Sequence, residues 1–293
     1  MRQNTTFITP QMWMIKEIQN KVKDYLKKHN IQSLIIGISG GFDSGFNAAI
    51  LKPVCDELGI PLIGRYIHID SNQKEERARA NLIGEAFCTE YKAIDLTEKY
   101  KSLAECMMNC EGVDIHEPEK GMDRYSLNAT QYKIALGNIK CRMRMIYLYN
   151  LAALHKGIIV DNDNKTEYML GFYTLCGDVF SITPLFSFFK TELYAFAELY
   201  AETLVVDKEC FALKSVIDAV PTDGLGITSS DVEQFGVSSY YEVDKILSEI
   251  ENGAYRITDK CPFTDDAGIK IWNRWKNSDF KRKYPHRIEI TQC

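Results

Sequence analysis

A short apolar segment that runs directly into a glycine-rich turn is the feature that most constrains this sequence. Residues 33–38 read Ser-Leu-Ile-Ile-Gly-Ile, and the hexapeptide Ser39-Gly-Gly-Phe-Asp-Ser44 follows at once. A helical pattern of apolar residues then begins at Phe46. Adjacent glycines allow a sharp turn that exposes backbone N–H groups, and the N-terminus of a following helix attracts negative charge. The strand, turn and helix together predict a phosphate-binding loop rather than a turn capped by serine.

The side chains of this loop restrict the kind of anion site that it forms. Ser39 and Ser44 supply hydroxyl donors beside the backbone of Gly40 and Gly41. Asp43 would repel a phosphate unless a cation lay between them, which points to Mg²⁺ held by Asp43 and phosphate oxygens. The loop lacks the G-x-x-x-x-G-K-[ST] spacing and the lysine of a Walker A loop.

Strand-like and helical segments alternate along the rest of the chain. Further strands are predicted at 62–69, 90–96 and 158–160, separated by helices. This alternation is typical of a parallel sheet covered on both faces. The predicted helices are 11–29, 73–89, 97–109, 129–155, 190–203, 240–252 and 264–277. Loops are predicted at 110–128 and 161–183, and a mobile loop region at 207–239.

Composition and cysteine usage exclude several classes of protein. The 293 residues are 45% hydrophobic and 26% charged, as in an ordinary globular protein. A net charge of −5 argues against a nucleic-acid partner, and no apolar run has the length of a membrane span. Nine scattered cysteines, with only Cys106 and Cys110 close together, indicate free thiols in a reducing cytoplasm. No signal peptide is recognised at the N-terminus.

The loop sequence SGGFDS resembles the S-G-G-x-D-S pyrophosphate-binding loop of the N-type ATP pyrophosphatases. The resemblance implies that Ser39, Gly40, Gly41, Asp43 and Ser44 bind ATP. It also implies an adenine nucleotide α-hydrolase-like α/β fold, an open parallel sheet of about five strands with helices on both faces, in a single domain over residues 1–293. Such enzymes adenylylate an oxygen of the substrate, release pyrophosphate, and let a nucleophile displace AMP.

Further motifs, in the same order, resemble ammonia-dependent NAD synthetase in particular. They cover roughly residues 10 to 290. The matching stretches are Gly137–Met145 (G-N-I-K-x-R-x-R-M), Asn164–Glu167 (N-K-[ST]-E), Gly171–Asp178 (G-[FY]-x-T…G-D), Pro184–Thr191 (P-L…K-T), and Pro221-Thr222-Asp223. The resemblance implies that ATP and ammonia convert deamido-NAD to NAD through an acyl adenylate.

The resemblance also assigns roles to individual residues. Asn138 and Arg142 would contact deamido-NAD, and Lys281 remains from a C-terminal H-K-R motif on the same side of the site. Glu167 would bind Mg²⁺ together with Asp43. The remaining assignments are Lys190 to an ATP phosphate as a catalytic residue, Asn162 and Thr222 to ATP, and Asp178 to holding ammonia as a second catalytic residue.

Some positions depart from the family pattern, mainly on the acceptor side. The G-T-[SD]-N turn reads Asp161-Asn162-Asp163-Asn164, a substrate-contacting lysine is Leu175, and the histidine of H-K-R is Phe280. The G-D-G-x-x-D run is shortened after Asp178, so its second aspartate has no counterpart. Two alternatives therefore remain open: an N-type pyrophosphatase that amidates or thiolates another acceptor, and a non-catalytic nucleotide-binding homologue.

The resemblance has two further implications, for assembly and for the nitrogen source. The family is homodimeric, and the apolar residues spread around the predicted helix 129–155 suit a buried dimer contact. We expect no glutaminase domain within this chain, so free ammonia or a separate subunit would supply the nitrogen.

Overall fold

The chain folds into an α/β architecture. A computed structural model describes residues 7–70, 73–114, 118–178, 180–222 and 230–285. The strands are β1 Leu34–Gly37, β2 Leu62–His68, β3 Glu90–Asp95 and β4 Ile158–Val160. The helices are α1 Met12–Lys28, α2 Phe42–Leu58, α3 Lys74–Phe87, α4 Thr97–Cys110, α5 Pro118–Tyr125, α6 Ala129–Leu154, α7 Lys165–Leu170, α8 Lys190–Ala201, α9 Asp207–Ile217, α10 Asp231–Phe235, α11 Tyr240–Asn252, α12 Asp266–Asn277 and α13 Asp279–Arg282.

The sheet is open and parallel, with the strand order β3-β2-β1-β4. Ile35 of β1 pairs with Ile63 on one side and Ile159 on the other. These observations confirm the predicted fold class. Four strands lie among the described residues, against about five expected. Beyond β4, Ile182 makes a single parallel bridge to Val160 instead of a full strand.

The alternation of side chains along β1 separates the two hydrophobic layers. Leu34 and Ile36 point into one cluster, in which α1, α2, α3, α8 and α9 pack on the sheet. Ile35, between them, points into the opposite cluster with α4 and α6. All three side chains are fully buried, so this central strand reads as a continuous apolar run.

A third hydrophobic cluster packs the C-terminal helices against α7. It contains Leu170 of α7, Leu247 of α11 and Trp272 of α12, all almost fully buried. This cluster brings α7, α10, α11 and α12 to one edge of the site described below. Among the described residues, no helix is both long and apolar enough to cross a membrane.

Three regions predicted as loops contain helices. The helix α5 lies within 110–128, α7 lies within 161–183, and α9 and α10 lie within 207–239. The first two are short, and a helix of six or eight residues carries little periodic signal. Both α7 and α10 begin at a side-chain cap, Asn164 and Ser230 respectively. The 207–239 prediction also includes 223–229, and these lie outside the described residues.

Candidate functional site

The glycine-rich loop lies at the carboxyl end of β1 and leads directly into α2. Its serines hold it closed, because Ser39 N donates to Ser44 Oγ at 3.2 Å and Gly41 N donates to Ser39 Oγ at 3.2 Å. Ser44 Oγ also donates to the Gly41 carbonyl at 3.1 Å. Ser44 is almost fully buried, so its hydroxyl fixes the loop from beneath.

Gly40 is the position in this loop that requires glycine. Its φ is +84°, and a Cβ there would lie 2.0 Å from the backbone oxygen of Glu76 in α3. The Gly40 carbonyl accepts a hydrogen bond from Arg79 Nε at 2.8 Å. The loop is therefore clamped against the first turns of α3, an arrangement that only a residue without a Cβ permits.

Two carboxylates and a lysine meet beside this loop. Lys190 Nζ donates to Asp43 and lies 3.5 Å from Glu167 Oε1. The side chains of Lys190, Asp43 and Glu167 are only 3%, 16% and 13% exposed. Asn164 connects them, since its Nδ2 donates to Asp43 at 3.0 Å and its Oδ1 accepts from Glu167 N at 3.1 Å. Residues from the loop, α7 and α8 thus converge on one cation.

The electrostatics of this group explain why a cation is held there. Burial and the neighbouring Asp43 carboxylate raise the pKa of Glu167 to about 8, against the opposing influence of Lys190. Burial alone would lower the pKa of the Lys190 ammonium, but Asp43 and Glu167 outweigh it and raise that pKa above its ordinary value. A buried carboxylate pair of this kind is stabilised by positive charge between its members or by a proton on one of them.

The same pair suits a divalent cation bound together with a nucleotide. Mg²⁺ usually takes one or two protein carboxylates and completes its shell with phosphate oxygens and water. Asp43 and Glu167 already converge on one ammonium, and the N-terminus of α2 lies beside them. Among the described residues, no cluster of three or more His, Cys, Asp or Glu side chains could hold a metal by protein ligands alone.

A second polar group lies on α6 and the loop that follows α7. Thr174 Oγ1 donates to Asn138 Oδ1 at 2.7 Å, and Thr174 N donates to Asp178 Oδ2 at 2.6 Å. Burial raises the pKa of Asp178, although its hydrogen bonds with Thr174 oppose that effect. Asn138 and Asp178 are therefore connected through a single threonine.

A cavity of about 480 Å³ contains most of the predicted site residues. Those that line it are Ser39, Gly41, Asp43, Asn138, Asn162, Glu167, Asp178, Lys190, Thr222 and Lys281. Gly40 and Ser44 lie behind this lining and shape the loop. Apart from Arg142, the structure thus brings the predicted nucleotide and acceptor residues to one cavity.

The predicted nucleotide residues outside the loop are held by side chains from other elements. Asn162 Nδ2 donates to the Gly37 carbonyl at 3.1 Å, and its Oδ1 accepts from Asn47 Nδ2 at 3.0 Å. Thr222 Oγ1 donates to Glu76 Oε1 at 3.2 Å. Asp223, from the same motif as Thr222, lies outside the described residues.

Arg142 and Lys281, two of the predicted acceptor residues, contact backbone carbonyls. Arg142 lies on the exposed face of α6, outside the cavity lining, and donates to the Leu175 carbonyl at 3.3 and 3.4 Å. Lys281 Nζ donates to the carbonyls of Gly171, at 2.8 Å, and Tyr173. Lys281 lines the cavity together with Asn138, whereas Arg142, one turn after Asn138 in α6, does not line it.

Arg79 and Arg274 are among the cavity residues that the sequence analysis did not identify. Arg79 of α3 reaches the glycine-rich loop, and Arg274 of α12 lies 5.0 Å from the ring centres of both Phe172 and Phe235. Both arginines belong to charge-rich helices that read as solvated faces. Only the tertiary packing of α3 and α12 around the cavity reveals their positions.

A larger open depression of about 630 Å³ lies on the other side of α7. Its charged side chains pair with one another, since Lys165 bonds Glu251 at 2.6 Å and Lys283 bonds Asp279 at 2.7 Å. It contains neither the glycine-rich loop nor the Asp43–Glu167 carboxylate pair, both of which border the smaller cavity. We therefore take the smaller cavity as the functional site.

Comparison with known proteins agrees with this geometry. The family model described as NAD synthase matches residues 14–285. The chain belongs to the NAD synthase family. Its relatives include the NH(3)-dependent NAD(+) synthetase of Mycoplasma genitalium, which is 30% identical over 235 residues, 80% of this chain and 82% of that protein. The enzyme of the same name from Thermoplasma volcanium is 27% identical over 276 residues, covering 93% of this chain and 97% of that one.

Two solved structures of synthetases share the fold of this chain. The NMN synthetase of Francisella tularensis superposes with a TM-score of 0.69 at 20% identity, over 96% of this chain and 98% of that chain. The NH3-dependent NAD synthetase of Campylobacter jejuni gives a TM-score of 0.67 at 21% identity, over 95% and 99% of the two chains. At these identities the likeness establishes the shared fold.

Proposed function

We propose that this NAD synthase family member amidates deamido-NAD to NAD, using ATP and ammonia. The acceptor carboxylate attacks the α-phosphorus of ATP, pyrophosphate leaves, and ammonia then displaces AMP from the acyl adenylate. One observation carries the proposal: the glycine-rich loop, the Asp43–Lys190–Glu167 group and the Asn138–Thr174–Asp178 group border one cavity. We further propose that residues 1–293 form a single ATP-pyrophosphatase domain.

Charge neutralisation is the main task of the nucleotide side. A carboxylate that approaches a triphosphate meets strong repulsion, so the site needs positive charge and fixed donors. In this proposal the loop formed by Ser39, Gly40, Gly41 and Ser44 binds pyrophosphate oxygens, and Lys190 leaves its carboxylates to contact a phosphate. Mg²⁺ would be held by Asp43 and Glu167 and would supply further positive charge toward the phosphates.

The remaining nucleotide contacts are assigned to Asn162 and Thr222, which border the same cavity. On the acceptor side, Asn138 and Lys281 are positioned to bind deamido-NAD, and Arg142 would contact it at the rim. Asp178 is a buried carboxylate that can hold an ammonium ion and accept a proton as ammonia attacks. These roles need positioning and proton transfer only, with no covalent bond to the protein.

We also propose that the chain is a cytoplasmic homodimer that assembles through α6. Ile146, Tyr149 and Leu154 of this helix are 63%, 43% and 72% exposed, at positions that follow one another along the C-terminal half of the helix. Exposed apolar side chains on one half of a long helix are typical of a helix–helix contact. The substitution Ile146→Asp should give monomers in sedimentation, whereas Val205→Asp, at a fully exposed position in another region, should leave the dimer intact.

The test of the reaction is to incubate the protein with ATP, Mg²⁺, ammonium and deamido-NAD, and to separate the nucleotides. We expect NAD and AMP in equal amounts, and neither from Asp43→Ala. Asp56→Ala is the matched control, because Asp56 lies at the exposed end of the same helix and pairs only with Lys52 in the described structure. Nucleotide binding without AMP from any acceptor would support a non-catalytic homologue instead.

A second candidate is amidation of a different acceptor. Leu175 stands where the resembled family has a substrate-contacting lysine, so the acceptor side has one positive charge fewer. An acceptor with fewer phosphates, such as a pyridine mononucleotide acid, would need less positive charge, and the fold occurs in a protein named as an NMN synthetase. Comparing kcat/KM for the mononucleotide and dinucleotide acids decides between them. A larger value for the mononucleotide would reject deamido-NAD as the preferred acceptor.

A further inference from the structure

A buried carboxylate lies behind the cavity, on the side of α7 and α8 that faces α11. Asp244 of α11 is 0% exposed and does not line the cavity. It accepts three hydrogen bonds: from Thr166 Oγ1 at 2.5 Å, from Thr191 Oγ1 at 2.8 Å, and from Thr191 N at 2.8 Å. Burial raises the pKa of Asp244 to about 6, against the opposing influence of these donors.

The hydroxyl of Thr166 extends this network to the lysine of the site. Thr166 is also fully buried, and its Oγ1 accepts a hydrogen bond from Lys190 N at 2.9 Å while donating to Asp244. Thr166 directly precedes Glu167, and Thr191 directly follows Lys190. Lys190 N is therefore bonded directly to the hydroxyl of Thr166, the residue beside Glu167. Asp244 links the same hydroxyl to Thr191, the residue after Lys190.

The connection matters because Glu167 and Lys190 belong to different helices. The distance between their side chains depends on how the start of α7 is set against the start of α8. Elsewhere at this junction, Lys165 N donates to the Phe188 carbonyl at 3.0 Å, which is a backbone contact on the far side of Thr166. Buried hydroxyl-to-carboxylate bonds are directional and strengthened by low polarity, so they fix such a spacing more closely than apolar packing.

We propose that Asp244 and Thr166 are positioning residues that set the spacing between Lys190 and Glu167 for nucleotide binding and catalysis. The inference rests on the proposed function, because it concerns the same nucleotide site. Neither residue touches the substrate in this scheme. Each acts by holding the backbone from which a phosphate-binding lysine and a carboxylate project.

The test compares two threonine substitutions within one network. Thr166→Val removes the hydroxyl that links Lys190 N to Asp244 and keeps the shape of the side chain. Thr191→Val removes a hydroxyl from the same carboxylate, but it keeps both bonds of Thr166 and the Thr191 N bond to Asp244. Thr166→Val should lose more thermal stability than Thr191→Val, because the Thr166 hydroxyl is fully buried and makes two hydrogen bonds, whereas that of Thr191 is partly buried and makes one. Thr166→Ser, which restores the hydroxyl, is the rescue variant.

We expect the two variants to separate in activity and in nucleotide affinity. At a temperature where all variants are folded, Thr166→Val should lose about 10- to 100-fold in kcat/KM for ATP, because small misplacements of phosphate-binding groups are costly. Thr191→Val and Thr166→Ser should stay within about threefold of the parent chain. The dissociation constant for Mg-ATP, measured by calorimetry, should rise in Thr166→Val only.

Equal losses in Thr166→Val and Thr191→Val, or a failure of Thr166→Ser to restore the affinity, would overturn the inference. If Thr166→Val does not fold, Asp244→Asn replaces it, because an asparagine keeps the size but replaces one acceptor oxygen with a donor. The parent chain separates the two proposals: Mg-ATP binding without NAD formation rejects the function, and the calorimetric comparison still decides the inference. No Mg-ATP binding by the parent chain rejects both.

Discussion

The substitution Gly40→Ala should disable the glycine-rich loop, which we propose binds phosphate, while leaving the fold intact. The new Cβ would lie 2.0 Å from the backbone oxygen of Glu76, whereas ordinary van der Waals contact begins at 3.4 Å. The loop and the start of α3 would therefore have to separate by about 1.4 Å, the difference between these distances. Neither partner can relieve the contact by changing a rotamer, because both atoms are fixed to the backbone.

The cost divides into a conformational part and a displacement part. A non-glycine residue at positive φ costs about 1–2 kcal/mol of stability. A displacement of more than an ångström at a phosphate-binding loop costs about 100-fold in kcat/KM, the usual size for a misplaced binding group. We expect Gly40→Ala to show both effects, in NAD formation and in Mg-ATP binding.

Gly59→Ala is the matched control, because it has the conformational cost of a positive φ without the displacement of a neighbouring segment. Gly59 ends α2 with a φ of +65°, and a Cβ there would have no neighbour within 4 Å. This variant should lose about 1–2 kcal/mol of unfolding free energy and keep the nucleotide affinity of the parent chain. If Gly40→Ala bound Mg-ATP as tightly as Gly59→Ala does, the close contact with α3 would not be what shapes the loop.

Three further predictions address the ion group, the core and the thiols. Lys190→Met should destabilise the chain by about 3–5 kcal/mol at a pH where Glu167 is ionised, and by less where Glu167 takes up a proton. Millimolar Mg²⁺ should raise its melting temperature more than that of the parent chain. Phe46→Ala should cost about 3–5 kcal/mol in denaturant unfolding, whereas Phe211→Ala should cost little, because the side chains are 1% and 64% exposed. Burial raises the pKa of the Cys141 thiol to about 12, so about 10⁻⁴ of it is thiolate at pH 8. Iodoacetamide should therefore label the exposed Cys176 far faster than Cys141, as measured by peptide mass spectrometry.

The sequence predicts most of the fold because its main elements are long or continuously apolar. The periodic pattern over 11–29 becomes α1, Met12–Lys28, and the apolar run 33–38 becomes β1, Leu34–Gly37. The predicted loop region at 207–239 is wrong over α9, where Leu213 and Val216 face the core at a spacing of three. The apolar face of this helix is short and surrounded by polar residues, so its helical period is too weak to be recognised from the sequence alone.

The site could be predicted as far as its residues lie within recognisable local motifs. Asp43, Glu167 and Lys190 each belong to such a motif, and they meet in space. Arg79 and Asp244 belong to none, and their importance depends on which distant residue they contact. Arg79 contacts the Gly40 carbonyl, and Asp244 reaches Lys190 N through the hydroxyl of Thr166. Long-range contacts of this kind leave no trace in a single sequence.

The departures from the family at Leu175 and Phe280 lie at the outer part of the site. Arg142 uses the backbone carbonyl of Leu175, so that contact does not depend on which side chain follows it. Phe280 is 62% exposed, while the adjacent Lys281 points inward to two carbonyls of the loop after α7. The Asp43–Lys190–Glu167 group therefore keeps its charges whatever stands at these two positions. A change in acceptor preference would then arise at the rim, and the chemistry of ATP cleavage would stay the same.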